Sequence, residues 1–199
     1  DHDDEDPVVM YWRHGLIGLC LTMGACATVP DKNPVMRKPS EQQIITMRLQ
    51  MARKLMEKKS YDQAMPYLRD LRARYPKLPE VRLLLGKVLR EKRMYKPARK
   101  ELDKAMVLAP NAAEVHSALG VLLMMEGAEQ RVPKKYEQAE RHHRKALELS
   151  PKNPRYHNNL GFCYFTQKKY EDAEQSVLEA IRLKPDMKMA FNNLGFIYG

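Results

Sequence analysis

From residue 45 onward, apolar positions return at helical spacing, as in Val88, Leu89, Leu102, Ala105 and Met106, and polar residues fill the gaps. Tyr-x-x-Ala recurs at Tyr61/Ala64, Tyr95/Ala98, Tyr136/Ala139 and Tyr170/Ala173, and a proline follows each alanine at Pro76, Pro110, Pro151 and Pro185. A second register keeps the same step: Met51-Ala52, Leu85-Gly86, Leu119-Gly120, Leu160-Gly161 and Leu194-Gly195. The copies lie 34, 41 and 34 residues apart, and a fixed period of that size predicts a solenoid of one repeated unit. Each unit reads as helix, turn, helix. Gly86, Gly120 and Gly161 facing Ala64, Ala98, Ala139 and Ala173 would let two antiparallel helices approach closely, and the proline stops the second helix.

The units run over 45–78, 79–112, 113–153 and 154–187, with the first helix of a fifth over 188–199. Ser40 with Gln43 three residues later has the pattern of a capping box opening the first helix. The third unit carries seven extra residues between Met125 and Tyr136, where Gly127 and Pro133 argue for a loop or an extended helix end. Such insertions often emerge on a binding face, and equally often are tolerated surface length.

The pattern changes upstream. Met10-Tyr11-Trp12-Arg13-His14 precedes an uncharged apolar stretch, Gly15 to Ala25, which has the layout of a secretory signal over 10–25. The stretch is short of the twenty or so residues that a membrane span needs. Residues 1–9 are acidic and fit no signal, so Met10 reads as the start and the preceding residues as non-native. Met23-Gly24-Ala25-Cys26 resembles a bacterial lipobox, which implies acylation of Cys26 as the mature N-terminus. Residues 26–44 then hold the acylated cysteine, an extended linker with Pro30, Pro34 and Pro39, and the start of the first helix. Cys20 would leave with the signal and Cys163 sits on a packed helix face, so no disulfide is expected.

Charge changes little in this picture. The net charge is +10, and five of the acids lie in the first six residues. Lys and Arg are spread through every unit beside Glu and Asp, as in Arg90-Glu91-Lys92-Arg93, and no nucleic-acid motif accompanies them, so no nucleic-acid partner is expected. His142 and His143 are adjacent, so their rings diverge on a helix, and His116 and His157 occupy packing positions. Neither pair has ligand-spaced Cys or carboxylates, and there is no phosphate loop or nucleophile elbow. The sequence therefore points to a binding module with no catalytic residue, metal or cofactor.

Leu-Gly, Tyr or Leu three further on (Leu89, Leu123, Tyr164, Tyr198), Tyr-x-x-Ala, Ala105, Ala146 and Ala180, and a closing proline together resemble the tetratricopeptide repeat. The first copy departs most, with Met51, Ala52 and Leu71, and His116 and His157 stand where a large aromatic is usual; Phe191 fits better. The resemblance implies an all-α, right-handed superhelix of helical hairpins whose first helices line a concave surface. Lipobox, linker and repeats in one chain are similar to the outer-membrane lipoproteins that act as pilotins for type IV pilus secretins. That likeness implies a periplasm-facing scaffold held in the outer membrane by acylated Cys26, with a secretin as partner. Ala27 stands where a retention Asp would otherwise keep such a protein in the inner membrane. Pilotins of this kind have more repeats, so the chain, which ends at Gly199 inside a first helix, reads as a fragment. A β-barrel assembly lipoprotein and a cytosolic adaptor or co-chaperone with an incidental apolar N-terminus stay open as alternatives.

Carrying the family's concave positions over places Arg53, Lys87 and Arg90 at one end of a groove. Val121, Met124, Met125, Phe162, Phe165 and Phe196 follow at the other, beside Asn158, Asn159, Asn192 and Asn193 from a repeated Asn-Asn-Leu-Gly-Phe. An asparagine ladder could hold an extended backbone and the aromatics its side chains. The partner segment would then be apolar at the Phe end and acidic at the Arg53/Lys87 end. The competing reading has the phenylalanines packing on neighbouring helices and the asparagines bonding within the solenoid.

Overall fold

The computed structural model describes residues 39–199, and the signal, lipobox and linker readings on residues 1–38, Cys26 included, lie outside them. Among the described residues there are nine helices and no strand. They run α1 (Glu41–Glu57), α2 (Tyr61–Arg74), α3 (Pro79–Glu91), α4 (Tyr95–Leu108), α5 (Ala113–Gln130), α6 (Lys134–Leu149), α7 (Pro154–Thr166), α8 (Tyr170–Leu183) and α9 (Lys188–Tyr198).

Helix ends follow from local chemistry. Ser40 Oγ accepts from the Gln43 backbone N–H at 3.2 Å while Gln43 Oε1 accepts from that of Ser40 at 2.7 Å, so the capping box forms. Pro79 and Pro154 occupy the first turns of α3 and α7, where their missing N–H costs nothing. The second helices end at Arg74, Leu108, Leu149 and Leu183, two residues before each period-marking proline. Every hairpin turn passes through one residue in the left-handed region, Lys59, Arg93, Arg131 and Lys168, with φ between 54° and 61°. In all four turns the next residue's N–H closes back on the first helix: Ser60 on Leu55 O, Met94 on Leu89 O, Val132 on Gly127 O, Lys169 on Tyr164 O.

Within each hairpin the small residues set the distance. Ala64, Ala98, Ala139 and Ala173 have no exposed surface. A Cβ built on Gly86 would stand 2.6 Å from Leu102, and one on Gly161 2.6 Å from Val177, so glycine is required by close approach. Gly120 meets a different neighbour, the imidazole of His143, at 2.5 Å. His143 occupies the register of Leu68, Leu102 and Val177 and is fully buried with neither ring nitrogen hydrogen-bonded. The adjacent His142 points elsewhere, as expected.

The extra length of the third unit is helix, not loop. α5 has 18 residues where α3 and α7 have 13, and it runs through Gly127, which is buried against Lys135 and Tyr136 of α6. A side chain at Gly127 would crowd that longer hairpin. Glu126, 6 % exposed, bonds Arg99 Nη2 at 2.9 Å and Lys135 Nζ at 2.7 Å, tying the extension to α4 and α6.

Each first helix packs against the next first helix, whereas the backbones of successive second helices stay apart and meet only through long side chains such as Arg72 and Glu101 among the described residues. First helices therefore form the tighter, inner layer. On the outer layer successive second helices stand apart, leaving clefts floored by the first helix between them. No helix of the described residues is long and apolar enough to cross a membrane.

Candidate functional site

The inner layer is knit by a periodic set of side chains. The ninth position of one first helix meets the second position of the next, and the chemistry of that meeting changes along the chain. Arg53 bonds Glu80 at 2.6 Å and Lys87 bonds Glu114, each 27 residues on. Burial would raise the Glu114 carboxyl, but the Lys87 hydrogen bond and charge outweigh it and hold it below the usual range. Arg90 pairs with Glu91 on its own helix. The cations expected to await an acidic segment are thus already matched by carboxylates of this chain.

The asparagines also turn inward on the solenoid. Asn193 donates to Asn158 Oδ1 at 2.8 Å, and Asn159 donates to Ser117 Oγ at 3.1 Å, so residues at the fifth and sixth positions bridge successive first helices. Asn158 is 2 % exposed, which removes it from any exposed ladder, and Met124 is likewise buried beside Leu123 and Cys163. The reason is the neighbour rather than the register: α9 packs over Asn158 and supplies Asn193 to it, whereas Asn192, at the same fifth position, lies on the last of the described helices. Asn192 alone of the four is exposed.

What the face does offer is aromatic. Phe165 stacks on Phe162 with ring centroids 6.2 Å apart and on Phe196 of α9 at 6.4 Å, and it meets Tyr170 at a tilt at 6.1 Å. Phe165 also packs on the cluster of Leu160, Tyr164 and Ala173, while Phe162 and Phe196 remain 38 % and 60 % exposed, so the row is anchored at its centre and keeps open faces. Val121 and Met125 continue it, half-buried, along α5. Exposed Met189, two turns before Phe196 on the same side of α9, extends it. The phenylalanines thus pack together and still present apolar area.

Residues missed by the sequence reading lock the joints between units. Arg82, His116 and His157, all at the fourth position, reach back six residues to the carbonyls of Pro76, Pro110 and Pro151; His116 Nε2 lies 2.9 Å and His157 Nε2 2.8 Å from its carbonyl. A side-chain donor six residues after three of the four period-marking prolines was the available signal; Phe191 stands at that place after Pro185. Since Nε2 of His116 must donate to Pro110 O, its Nδ1 in the neutral ring accepts from His142 Nδ1 at 3.3 Å. Burial, then the charges of His116, Arg99 and Arg141, lower His142 to about 4. Burial lowers His143 to about 3 and pushes the Cys163 thiol up to about 12, which keeps it inert. No group of three His, Cys, Asp or Glu side chains fit to hold a metal occurs among the described residues.

No curated protein matches the sequence. Among solved structures, one titled a functional characterization of Pseudomonas aeruginosa pilF superposes with a TM-score of 0.67 at 21 % identity, over 79 % of this chain and 69 % of that one. TTC0263, a thermophilic repeat protein of Thermus thermophilus, gives 0.68 at 18 % identity over 80 % and 84 %. YrrB, described as having an unusual peptide-binding site, gives 0.54 at 18 % identity over 76 % and 74 %. At these identities the likeness is one of fold. The sequence itself matches the tetratricopeptide repeat family over residues 55–122 and 133–190, more than half its length, and with the hairpin register now fixed the chain belongs to the tetratricopeptide repeat family.

Proposed function

We propose that this protein is a non-catalytic scaffold that binds a protein partner along the inner face of α5, α7 and α9. Acylated Cys26 would hold it in the bacterial outer membrane facing the periplasm, where it would assist secretin assembly in type IV pilus biogenesis. The observation that carries the binding reading is the partly exposed row Phe162, Phe165 and Phe196. Large aromatics left open on a concave face provide apolar area that a partner segment can cover. The segment we expect is apolar throughout, because the cations at the other end are matched by Glu80, Glu114 and Glu91. Asn192 is the asparagine placed to bond its backbone. The membrane and secretin parts rest on the sequence around Cys26 and on its likeness to pilotins, and the fold shared with pilF is in keeping with them.

Two measurements test the proposal separately. Mass spectrometry of the mature N-terminus is expected to find diacylglyceryl on Cys26; an unmodified cysteine or a start elsewhere rejects the anchor. Co-purification from membranes is expected to recover a secretin with the wild type and to lose most of it with Phe165→Ala/Phe196→Ala. Undiminished recovery with a folded double variant rejects the aromatic face as the site.

A further inference from the structure

On the outer layer, the cleft between α2 and α4 differs from its neighbours. It encloses about 1010 Å³ over α3, with Leu85, Leu89, Met94 and Pro97 as its apolar lining. Cations rim it: Arg69 and Arg72 from α2, and Lys96, Lys100 and Lys104 from α4. At its floor Glu101, 5 % exposed, takes Arg72 Nη1 at 2.8 Å on one oxygen and Arg82 Nη1 at 2.7 Å on the other. Burial would raise that carboxyl, but the two guanidinium hydrogen bonds prevail and keep it ionised. The one carboxylate within the lining is therefore saturated, and among the described residues Arg69, Lys96, Lys100 and Lys104 enter no ion pair.

The repeat itself does not ask for these lysines. At the same register α2 carries Asp62, Pro66 and Asp70, α6 carries Glu137, Arg141 and Lys145, and α8 carries Glu171, Gln175 and Glu179. Like charges four residues apart on a helix repel, so three lysines at that spacing facing two arginines are a local cost that the fold could have avoided. We propose that the α2/α4 cleft is a second protein-binding site, on the layer opposite the aromatic face, for an extended acidic segment with carboxylates at alternate positions. The spacings agree: lysines four residues apart rise about 6 Å along the helix axis, and same-side residues of an extended chain recur about every 6.7 Å. The residues between the carboxylates would meet the aliphatic floor. A single-stranded nucleic acid, whose phosphates could use the same cations, would want aromatic stacking platforms, and none lines this cleft.

The test is fluorescence anisotropy on the full chain with a labelled peptide of alternating Leu and Glu at low ionic strength. Wild type is expected to bind in a steeply salt-dependent way, and Lys96→Gln/Lys100→Gln/Lys104→Gln to lose about tenfold or more with unchanged helicity, since each contact is charge-assisted. A control that removes the same charge elsewhere, Arg141→Gln/Lys145→Gln/Lys152→Gln, is expected to bind as wild type does. The proposal is overturned by absence of wild-type binding or by equal loss in the control. Loss on Phe165→Ala/Phe196→Ala but not on the lysine variant would overturn it too, by moving the peptide to the inner face. Tighter lysine-dependent binding of an oligothymidylate or of phosphatidylglycerol vesicles assigns the cleft to another ligand. Binding that emerges only after removal of residues 1–9 assigns it to the chain's own acidic run.

Discussion

The two halves of the solenoid share one backbone plan and use it differently. From α1 to the middle of α5 a single cluster of buried aliphatic residues runs unbroken, from Leu49 to Leu122. Beyond it the core divides into three smaller clusters, around Leu123, Leu160 and Val177. The division falls where His143 replaces the aliphatic residue that Leu102 supplies one unit earlier. The inner face changes at the same place, from the ion pairs Arg53–Glu80 and Lys87–Glu114 to open aromatics. Where neighbouring helices satisfy each other, little is left for a partner; where the pairing lapses, apolar surface and an unsatisfied core site appear together.

Exchanging the two core residues breaks this contrast most directly. Leu102→His is expected to cost about 3 kcal/mol or more, through lost apolar packing and an imidazole without partners. The reverse change, His143→Leu, is expected to stabilise by about 1–3 kcal/mol, the penalty of the unpaired ring nitrogens. Urea midpoints measure both, and if neither moves, the shared register of positions 102 and 143 carries no energetic meaning.

Acid sharpens the comparison. His142 and His143 bind protons less readily folded, at about 4 and about 3, than unfolded, at 6.5. Their contribution is therefore complete above pH 6.5 and is lost as pH falls from there to about 4 for His142 and about 3 for His143, since the unfolded chain takes up the protons first. For buried His143 the loss is about 1.4 kcal/mol per pH unit; partly exposed His142 adds less. Melting temperatures between pH 7 and 4.5 should fall less steeply in His143→Leu than in wild type, and parallel curves would contradict the burial argument. The smallest effect belongs to the hairpin turns. Arg93→Gly is expected to raise stability by up to about 1 kcal/mol, because glycine adopts φ 57° without the Cβ penalty, and a lower melting temperature would show that the Arg93 side chain matters more than its backbone.

The helices were legible because their signals are local. The period, the Ser40–Gln43 box and the prolines fixed helix ends to within two residues, and Gly86, Gly120 and Gly161 named the close approaches. The inner face was less legible. Its positions were taken from a family average, and one step of register separates exposed Asn192 from Asn193, which bonds Asn158. The cation–carboxylate spacing of 27 residues was present in the sequence but has no meaning until adjacent first helices are known to touch. Glu101 is held by Arg72 and Arg82 from two different helices, which no single spacing reveals. His143 was noticed only as a neighbour of His142, and aligning it with Leu68, Leu102 and Val177 would have disclosed its burial.

Contacts that join each helix only to those one or two places along the chain also bear on how the molecule forms. Loops closed between neighbours cost little entropy, so hairpins can nucleate separately and join by zipping, in the fast range of low-contact-order folds. The seam beside His143, where the ring nitrogens are buried without partners, is then one place at which that zipper is expected to open. Amide hydrogens of α7 to α9 should exchange with solvent before those of α3 and α4, through an opening that leaves the first two units folded. The segment that presents the aromatic row would thus be the one that spends most time partly undone, and a partner gripping it would bind and complete the folding of that half in one event.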